Sequence, residues 1–553
     1  MSGFDVVVVG AGITGAGVAR DAALRGMRVC LVEQRDLASG TTWGSSGMIH
    51  GGVRYLEHDW EITRVSCLDG GYILRTAPHL LFPVVFLIPV FRDSKISIET
   101  AEVGLEAYDR FQRLKGGRPH VRLSAAEALQ LEPGLSPDLV GALTMEEWGV
   151  DPARLATLVA LGAREAGAEL RTWTEVVGLL RDGARISGVR VRSRLGAGIE
   201  QISARIVVNA GGPWAGELAA MGGASLRLRP AKGIHLIYDR RITNVALTVE
   251  AVDGRGLLLV PHASTTLVGT TDDDFYGDPE HLDVTDDEVE YVLEAAQRVL
   301  PGIRDYRIAH ATAAVRPTLY EWRRYEDDLS RDYAVVDHGA GGAGAPGLVS
   351  VAGGKMSMFR KMAEDTVDAV ERLLGRPHVA CTTHTAPLPG GDRPVDTVGL
   401  AAAHRLPLPL ANRLVGRHGD RAAALLAAAA PHERAAVLCE CEPVTVAELR
   451  HSIRHEHVER LEDLYRRVRW SAGACLGMRC CWEAARVMGE ERGWTPRRVE
   501  EEVRDFLTAR WHDRPTVMAG PALAQEELAR GALYSFGDLA GAGRRGAPPG
   551  AHS

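Results

Sequence analysis

The stretch FDVVVVGAGITGAGVARDAALRG, Phe4–Gly26, decides the fold. A β-branched apolar run meets glycines and passes into a helix of small residues. A second strand, MRVCLVE, follows and ends at Glu33. This pattern predicts a β-α-β unit. Gly10, Gly12 and Gly15 have the GxGxxG spacing. The first permits a tight turn, the second lets a pyrophosphate approach the backbone, and the third lets helix and strand pack closely. The helix N-terminus offers N–H groups and the positive end of its dipole to phosphates. Glu33, closing the second strand, is placed to accept hydrogen bonds from a ribose hydroxyl pair. The glycines alone are a weak signal; with strand, helix and terminal acid they predict a dinucleotide.

Working outward, 553 residues are too many for one core, so two to four domains are expected. With 46% hydrophobic and 25% charged residues, the composition is that of an ordinary soluble protein. A net charge of −8 excludes a general attraction to nucleic acid or anionic lipid, so an anion site must be a local basic cluster. No basic segment precedes a long apolar core at the N-terminus, which argues against a secretory signal. The most apolar segment, HLLFPVVFLIPVF (His79–Phe91), is too short to span a bilayer and carries two prolines; it reads as a buried strand. A cytoplasmic protein is expected, with reduced thiols. The chain has 59 arginines and only five lysines, so each lysine stands out, since arginine was the easy alternative.

Further elements follow from local chemistry. Ser124 and Glu127 predict a capping box and a helix start. Val176–Ser193 predicts a β-hairpin around Asp182-Gly183. ARIVVNAGGPWAGELA (Ala204–Ala219) is a second strand–turn–helix that returns the chain to the nucleotide fold, and Leu257–Asp274 is a strand pair. Gly339–Gly347 is a glycine-rich loop, Pro387–Pro394 a linker, and the tail Gly541–Ser553 is expected to be disordered.

Cys439 and Cys441 stand one residue apart, a spacing at which a disulfide is badly strained. With Cys475 and Cys480 they give C-x-C, 33 residues, then C-x4-C. Four thiolates suit an iron–sulfur cluster or a zinc ion, and the spacing leaves both open. Thr445 and Glu448 predict a capping box just after the C-x-C loop. Cys475 and Cys480 stand where a loop enters the helix WEAARVMGEE, whose first amides favour negative charge. Cys481 reads as a packed bystander, and Cys30, Cys67 and Cys381 as buried small hydrophobes.

Seven segments in order carry a resemblance: ASGTTWGSSGMIHGGVRYLE (Ala38–Glu57), VVNAGGPW (Val207–Trp214), RPAKGIHLIYD (Arg229–Asp239), VGTTD (Val268–Asp272), AAVRP (Ala313–Pro317), SRDYAVVDH (Ser330–His338) and VAGGKMSMFRKMAED (Val351–Asp365). Over about residues 1–385 the chain resembles FAD-dependent glycerol-3-phosphate dehydrogenases of the D-amino-acid-oxidase-like superfamily. CECEPVTVAELRHSI, RLEDLYRRVR and GACLGMRCCWEAARV resemble the bacterioferritin-associated-ferredoxin-like [2Fe-2S] domain that closes the large subunit in the anaerobic-type enzymes.

The resemblance implies an α/β fold. Its parts are a Rossmann-like FAD-binding domain (1–90, 145–225, 330–385), an antiparallel-sheet substrate domain (91–144, 226–329) and a linker and helical region (386–435). A small helical [2Fe-2S] domain (436–490) and a helical segment with the tail (491–553) complete it. It also implies oxidation of sn-glycerol 3-phosphate to dihydroxyacetone phosphate, electrons passing by FAD and the cluster to companion subunits and quinone. Membrane association would be peripheral, through those partners. A related flavoenzyme acting on a 2-hydroxy or amino acid is the second reading.

By the same resemblance, Thr41, Thr42, Ser45 and Ser46 face the pyrophosphate and flavin ring, with His50 nearby. Gly353, Gly354 and Lys355 lie near the ring's polar edge, with Ser357 as the local cofactor-binding hydroxyl. Arg54, Arg316 and Arg331 would clamp phosphate, as guanidinium forks do. His235 is the candidate base, with Lys355 and His50 in reserve. Cys439, Cys441, Cys475 and Cys480 would hold the cluster. Gly44 and Gly47 stand where aerobic relatives often have basic residues, and Met358 where a threonine is usual.

Overall fold

The valine run at the start forms β1 (Phe4–Val9), the glycines turn the chain into α1 (Ile13–Leu24), and β2 (Val29–Val32) closes the unit. Val6, Val7 and Val8 are fully buried, as a central strand covered on both faces requires. The computed structural model describes residues 3–57, 59–322, 331–340, 344–512 and 514–536, apart from the side chains of 54 and 57. The Arg54 side chain and the tail Gly541–Ser553 lie outside the described residues, as does 341–343 of the glycine-rich loop.

β1 lies parallel to β2 on one side and to Ile199–Asn209 on the other. The sheet order is Tyr333–Asp337, Leu348–Gly353, Ile199–Asn209, β1, β2, Glu169–Arg171. Thr174–Asp182 and Arg185–Ser193 form the hairpin that Asp182-Gly183 foretold, with Gly183 at φ +59°. α1 packs against the helices Pro152–Glu165 and Phe359–Leu374. The capping box at Ser124 is present with both of its hydrogen bonds.

A second, mostly antiparallel sheet is built on Leu228–Tyr238, which pairs with Ile308–Leu319 and Thr265–Gly269. It continues through Gly256–His262 and Ala246–Glu250 to Phe82–Phe91 and Leu139–Gly149. Phe82–Phe91, expected within the 1–90 segment of the nucleotide fold, thus joins the second sheet, paired with Leu139–Gly149 from Phe82↔Gly149 to Phe91↔Leu139. Nor is it buried throughout: Phe86 and Leu87 are covered, whereas Phe82 and Val85 are 37% and 38% exposed. Its apolar content serves two faces only in the middle of the strand.

The C-terminal third is helical around a short ladder, Val437–Cys439 with Val444–Thr445. Its core centres on the fully buried Trp470, packed with Leu449, Leu464 and Met488. It docks on the nucleotide fold through buried charges. Arg467 donates to both carboxylate oxygens of Asp36 (2.9 and 2.5 Å), and Arg466 joins at 2.5 Å. Burial works against the Asp36 carboxylate, yet Arg467 and Arg466 hold its pKa below the usual range. Arg154 pairs with Glu456 (2.8 Å) and Arg417 with Asp151 (3.0 Å) across the same junction. Among the described residues no helix is long and apolar enough to cross a membrane.

Candidate functional site

A cavity of about 820 Å³ brings together residues of both sheets. Gly10, Gly12 and Glu33 of the nucleotide fold line it, as do the loop 41–46, His50 and Gly353–Ser357. His235 and Arg316 line it from the second sheet, and Arg331 from the segment leading into Tyr333–Asp337. Gly15 does not line it. A Cβ there would stand 1.9 Å from the Gly10 carbonyl oxygen, so this glycine exists to let helix and strand touch. Gly10 has φ +103°, open to glycine at little cost, and a Cβ would meet the Ala210 carbonyl oxygen at 2.5 Å.

The loop hydroxyls have partners within the protein. Thr42 Oγ1 accepts the Ile13 N–H at 3.0 Å and caps α1, whose N-cap residue Gly12 has no side chain to do so. Thr41 donates to the Val315 carbonyl (2.5 Å) and Ser45 to the Thr42 carbonyl (2.9 Å). Glu33 accepts the N–H groups of Ala11 (2.7 Å) and Arg35 (3.0 Å), so the carboxylate also ties the glycine turn to β2. Ser357 lines the cavity, and its fully buried Oγ has no hydrogen-bond partner. A buried polar atom without a partner is a place where a ligand's polar atom fits. The glycine cradle, the capped helix start and this hydroxyl all suit a dinucleotide.

His235 is 2% exposed and its Nε2 lies 2.9 Å from Ser46 Oγ. Burial first, and the Arg316 charge second, bring its pKa down to about 3, so the imidazole is neutral. Arg316 donates to Asp272 Oδ1 (2.7 Å), the Thr271 carbonyl and Thr270 Oγ1. Arg331 donates to Asp272 Oδ2 (2.6 Å) and Thr318 Oγ1 (3.2 Å). One carboxylate therefore aims both guanidinium groups. Asp272 was missed by sequence reasoning, although it closes the VGTTD segment. Lys355 Nζ donates to the Gly51 carbonyl (2.8 Å) and sits 4.6 Å from the Tyr55 ring centre. At Gly44 a Cβ would stand 2.2 Å from Ala314 Cβ, and at Gly47, where φ is +67°, a Cβ would stand 2.7 Å from the Val150 carbonyl oxygen. Neither position admits a basic side chain here.

The four cysteines converge in two pairs. Cys441 Sγ lies 3.6 Å from Cys475 Sγ, and Cys439 and Cys480 are neighbours whose thiols interact electrostatically. Cys480 occupies the N-cap of the helix Cys481–Arg492. The interaction with Cys480, helped by the N–H groups of Glu442 and Ser471 against burial, holds the Cys439 thiol below its usual range. The expected capping box is half formed. Thr445 accepts the Glu448 N–H (3.1 Å), but the Glu448 carboxylate turns instead to Arg413 and His418. Cys481, Cys30 and Cys67 are buried, whereas Cys381 is half-buried. A further cluster, His418, His451 and Glu456, already holds a cation in the guanidinium of Arg154.

Residues 5–360 match the family described as FAD dependent oxidoreductase, and 381–499 match the C-terminal domain of alpha-glycerophosphate oxidase. The chain is 35% identical to one subunit of the anaerobic glycerol-3-phosphate dehydrogenase of Escherichia coli (strain K12), over 95% of each chain. It is 32% identical to one subunit of the anaerobic glycerol-3-phosphate dehydrogenase of Haloferax volcanii, over 95% of this chain and 89% of the other. Among solved structures, the glycerol-3-phosphate dehydrogenase from Bacillus halodurans complexed with FAD superposes with a TM-score of 0.71 at 28% identity, covering 91% of this chain and 93% of that one.

Proposed function

The chain belongs to the FAD-dependent oxidoreductases and, within them, to the glycerol-3-phosphate dehydrogenases, and on that premise we propose that it oxidises sn-glycerol 3-phosphate to dihydroxyacetone phosphate. The observation that carries this reading is the pairing of a nucleotide cradle with two arginines forked on Asp272 in one cavity. FAD, when bound, supplies the acceptor for the hydride of the carbinol carbon. The planar forks of two guanidinium groups, aimed by one carboxylate, suit the oxygens of a phosphate. The neutral imidazole of His235 has one ring nitrogen without a proton, which offers a site for the hydroxyl proton, with Ser46 fixing the ring. Lys355 adds a cation at the cavity wall.

The cysteine set supports a [2Fe-2S] cluster, which would supply a one-electron acceptor. Among the described residues, no three of these sulfurs lie within 4.8 Å of one another. Two separate sulfur pairs suit two irons better than the single tight tetrahedron of zinc. Companion electron-transfer subunits and quinone would receive the electrons, in keeping with relatives named as one subunit of an enzyme.

Anaerobic dye reduction by the purified holoprotein tests the substrate. Glycerol 3-phosphate should support turnover, and turnover with only unphosphorylated 2-hydroxy or amino acids would sink the proposal. Iron and acid-labile sulfide in equal amounts, two of each per chain, are expected; zinc in their place would remove the cluster.

A further inference from the structure

Lys115 is one of only five lysines, and it is 1% exposed. Its three ammonium hydrogens have three acceptors: a Glu147 carboxylate oxygen, Tyr108 Oη (3.1 Å) and the Glu146 carbonyl (3.5 Å). Tyr108 Oη is saturated in turn. It donates to Glu147 Oε1 (2.5 Å) and also accepts the Gly51 N–H (3.0 Å). On the far side of that residue, the Gly51 carbonyl receives Lys355 Nζ. Only glycine fits this contact, since a Cβ at position 51 would meet Cys67 Sγ and Tyr108 Oη, each at 2.4 Å. Glu147 itself lines the cavity. A buried ion pair contributes little net stability, because desolvation opposes the attraction. Its expense is better explained by what it holds in place. A lysine suits the position, because a compact ammonium reaches three converging acceptors and a planar guanidinium does not.

We propose that Lys115, Glu147 and Tyr108 are positioning residues that fix Lys355 at the cavity wall through the Gly51 backbone. The inference rests on the reading of the cavity as the flavin site, where a fixed cation stabilises negative charge on the reduced ring. Without the Tyr108 hydroxyl the residue 50–52 backbone is free to shift, and the ammonium with it.

The test is potentiometric titration of the flavin in the holoprotein against reference dyes, without substrate. Tyr108→Phe should shift the flavin potential to more negative values, in the direction of Lys355→Met. The double variant should shift no further than Lys355→Met alone, since residues acting through one another are not additive. A wild-type potential in Tyr108→Phe, or a shift that adds in full to that of Lys355→Met, overturns the proposal. Should Tyr108→Phe lose FAD, Lys115→Met with Glu147→Leu removes the pair without stranding a charge. An unchanged potential in that variant counts equally against the network. No glycerol 3-phosphate is used, so a failure of the substrate reading appears separately in the dye-reduction assay.

Discussion

At the scale of the residue, Asp272 is the organiser that sequence alone did not reveal. Its two oxygens each take one arginine, so Asp272→Asn should misplace both forks. We expect KM for glycerol 3-phosphate to rise about tenfold or more with kcat less affected, as for loss of a charged hydrogen bond. Steady-state kinetics with a dye acceptor would measure it, and an unchanged KM would remove Asp272 from the clamp. His235 makes a second prediction. Burial brings its pKa from the usual value to about 3, so its neutral form persists on acidification through pH 6.5 and down to about pH 5. Flavin reduction followed by stopped flow should show no His235 ionisation in that window, and an imidazole NMR titration centred near 6.5 would contradict the geometry. Gly44 makes a third. Arginine there has no room beside Ala314, and Gly44→Arg should cost about 1–3 kcal/mol by overpacking, with loss of bound FAD. Denaturant melts and flavin content check this together.

At the scale of the element, the first β-α-β unit was legible because each of its signals is local. Valines, glycine spacing and a closing acid are read from neighbours in sequence, as were the Asp182-Gly183 turn and the Ser124 box. What was not legible depends on partners far along the chain. Phe82–Phe91 reads as an apolar strand, but nothing in its pattern names Leu139–Gly149 as its partner. The hydroxyls of Thr41, Thr42 and Ser45 were visible as chemistry, whereas their backbone acceptors and donors were not. Glu448 sits at the capping-box spacing, yet a tertiary pull from Arg413 and His418 wins its carboxylate. The cap on α1 can be tested. Thr42→Val keeps the shape and deletes the acceptor for Ile13 N–H, which should lower stability by about 1 kcal/mol. FAD affinity should fall with it, measured by flavin fluorescence on dilution; unchanged stability would mean the cap is replaceable.

At the scale of the whole molecule, two functional regions are held by one buried ionic junction. Asp36 lies just beyond β2 and is fully buried against Arg466 and Arg467 of the cysteine-bearing unit. Removing one partner of such a pair strands a charge, so Asp36→Asn should cost about 3–5 kcal/mol. Calorimetry should then resolve the C-terminal unit melting ahead of the nucleotide fold, and a single unshifted transition would show that the junction does not govern docking. The central claim is more specific: a flavin in the two-sheet cavity takes electrons from a phosphorylated alcohol. Its most direct test is an anaerobic titration of the purified holoprotein with sn-glycerol 3-phosphate, watching the flavin absorbance. The account predicts bleaching that saturates with dihydroxyacetone phosphate formed in proportion. A flavin that stays oxidised in excess glycerol 3-phosphate, yet bleaches with an unphosphorylated hydroxy or amino acid, would contradict it.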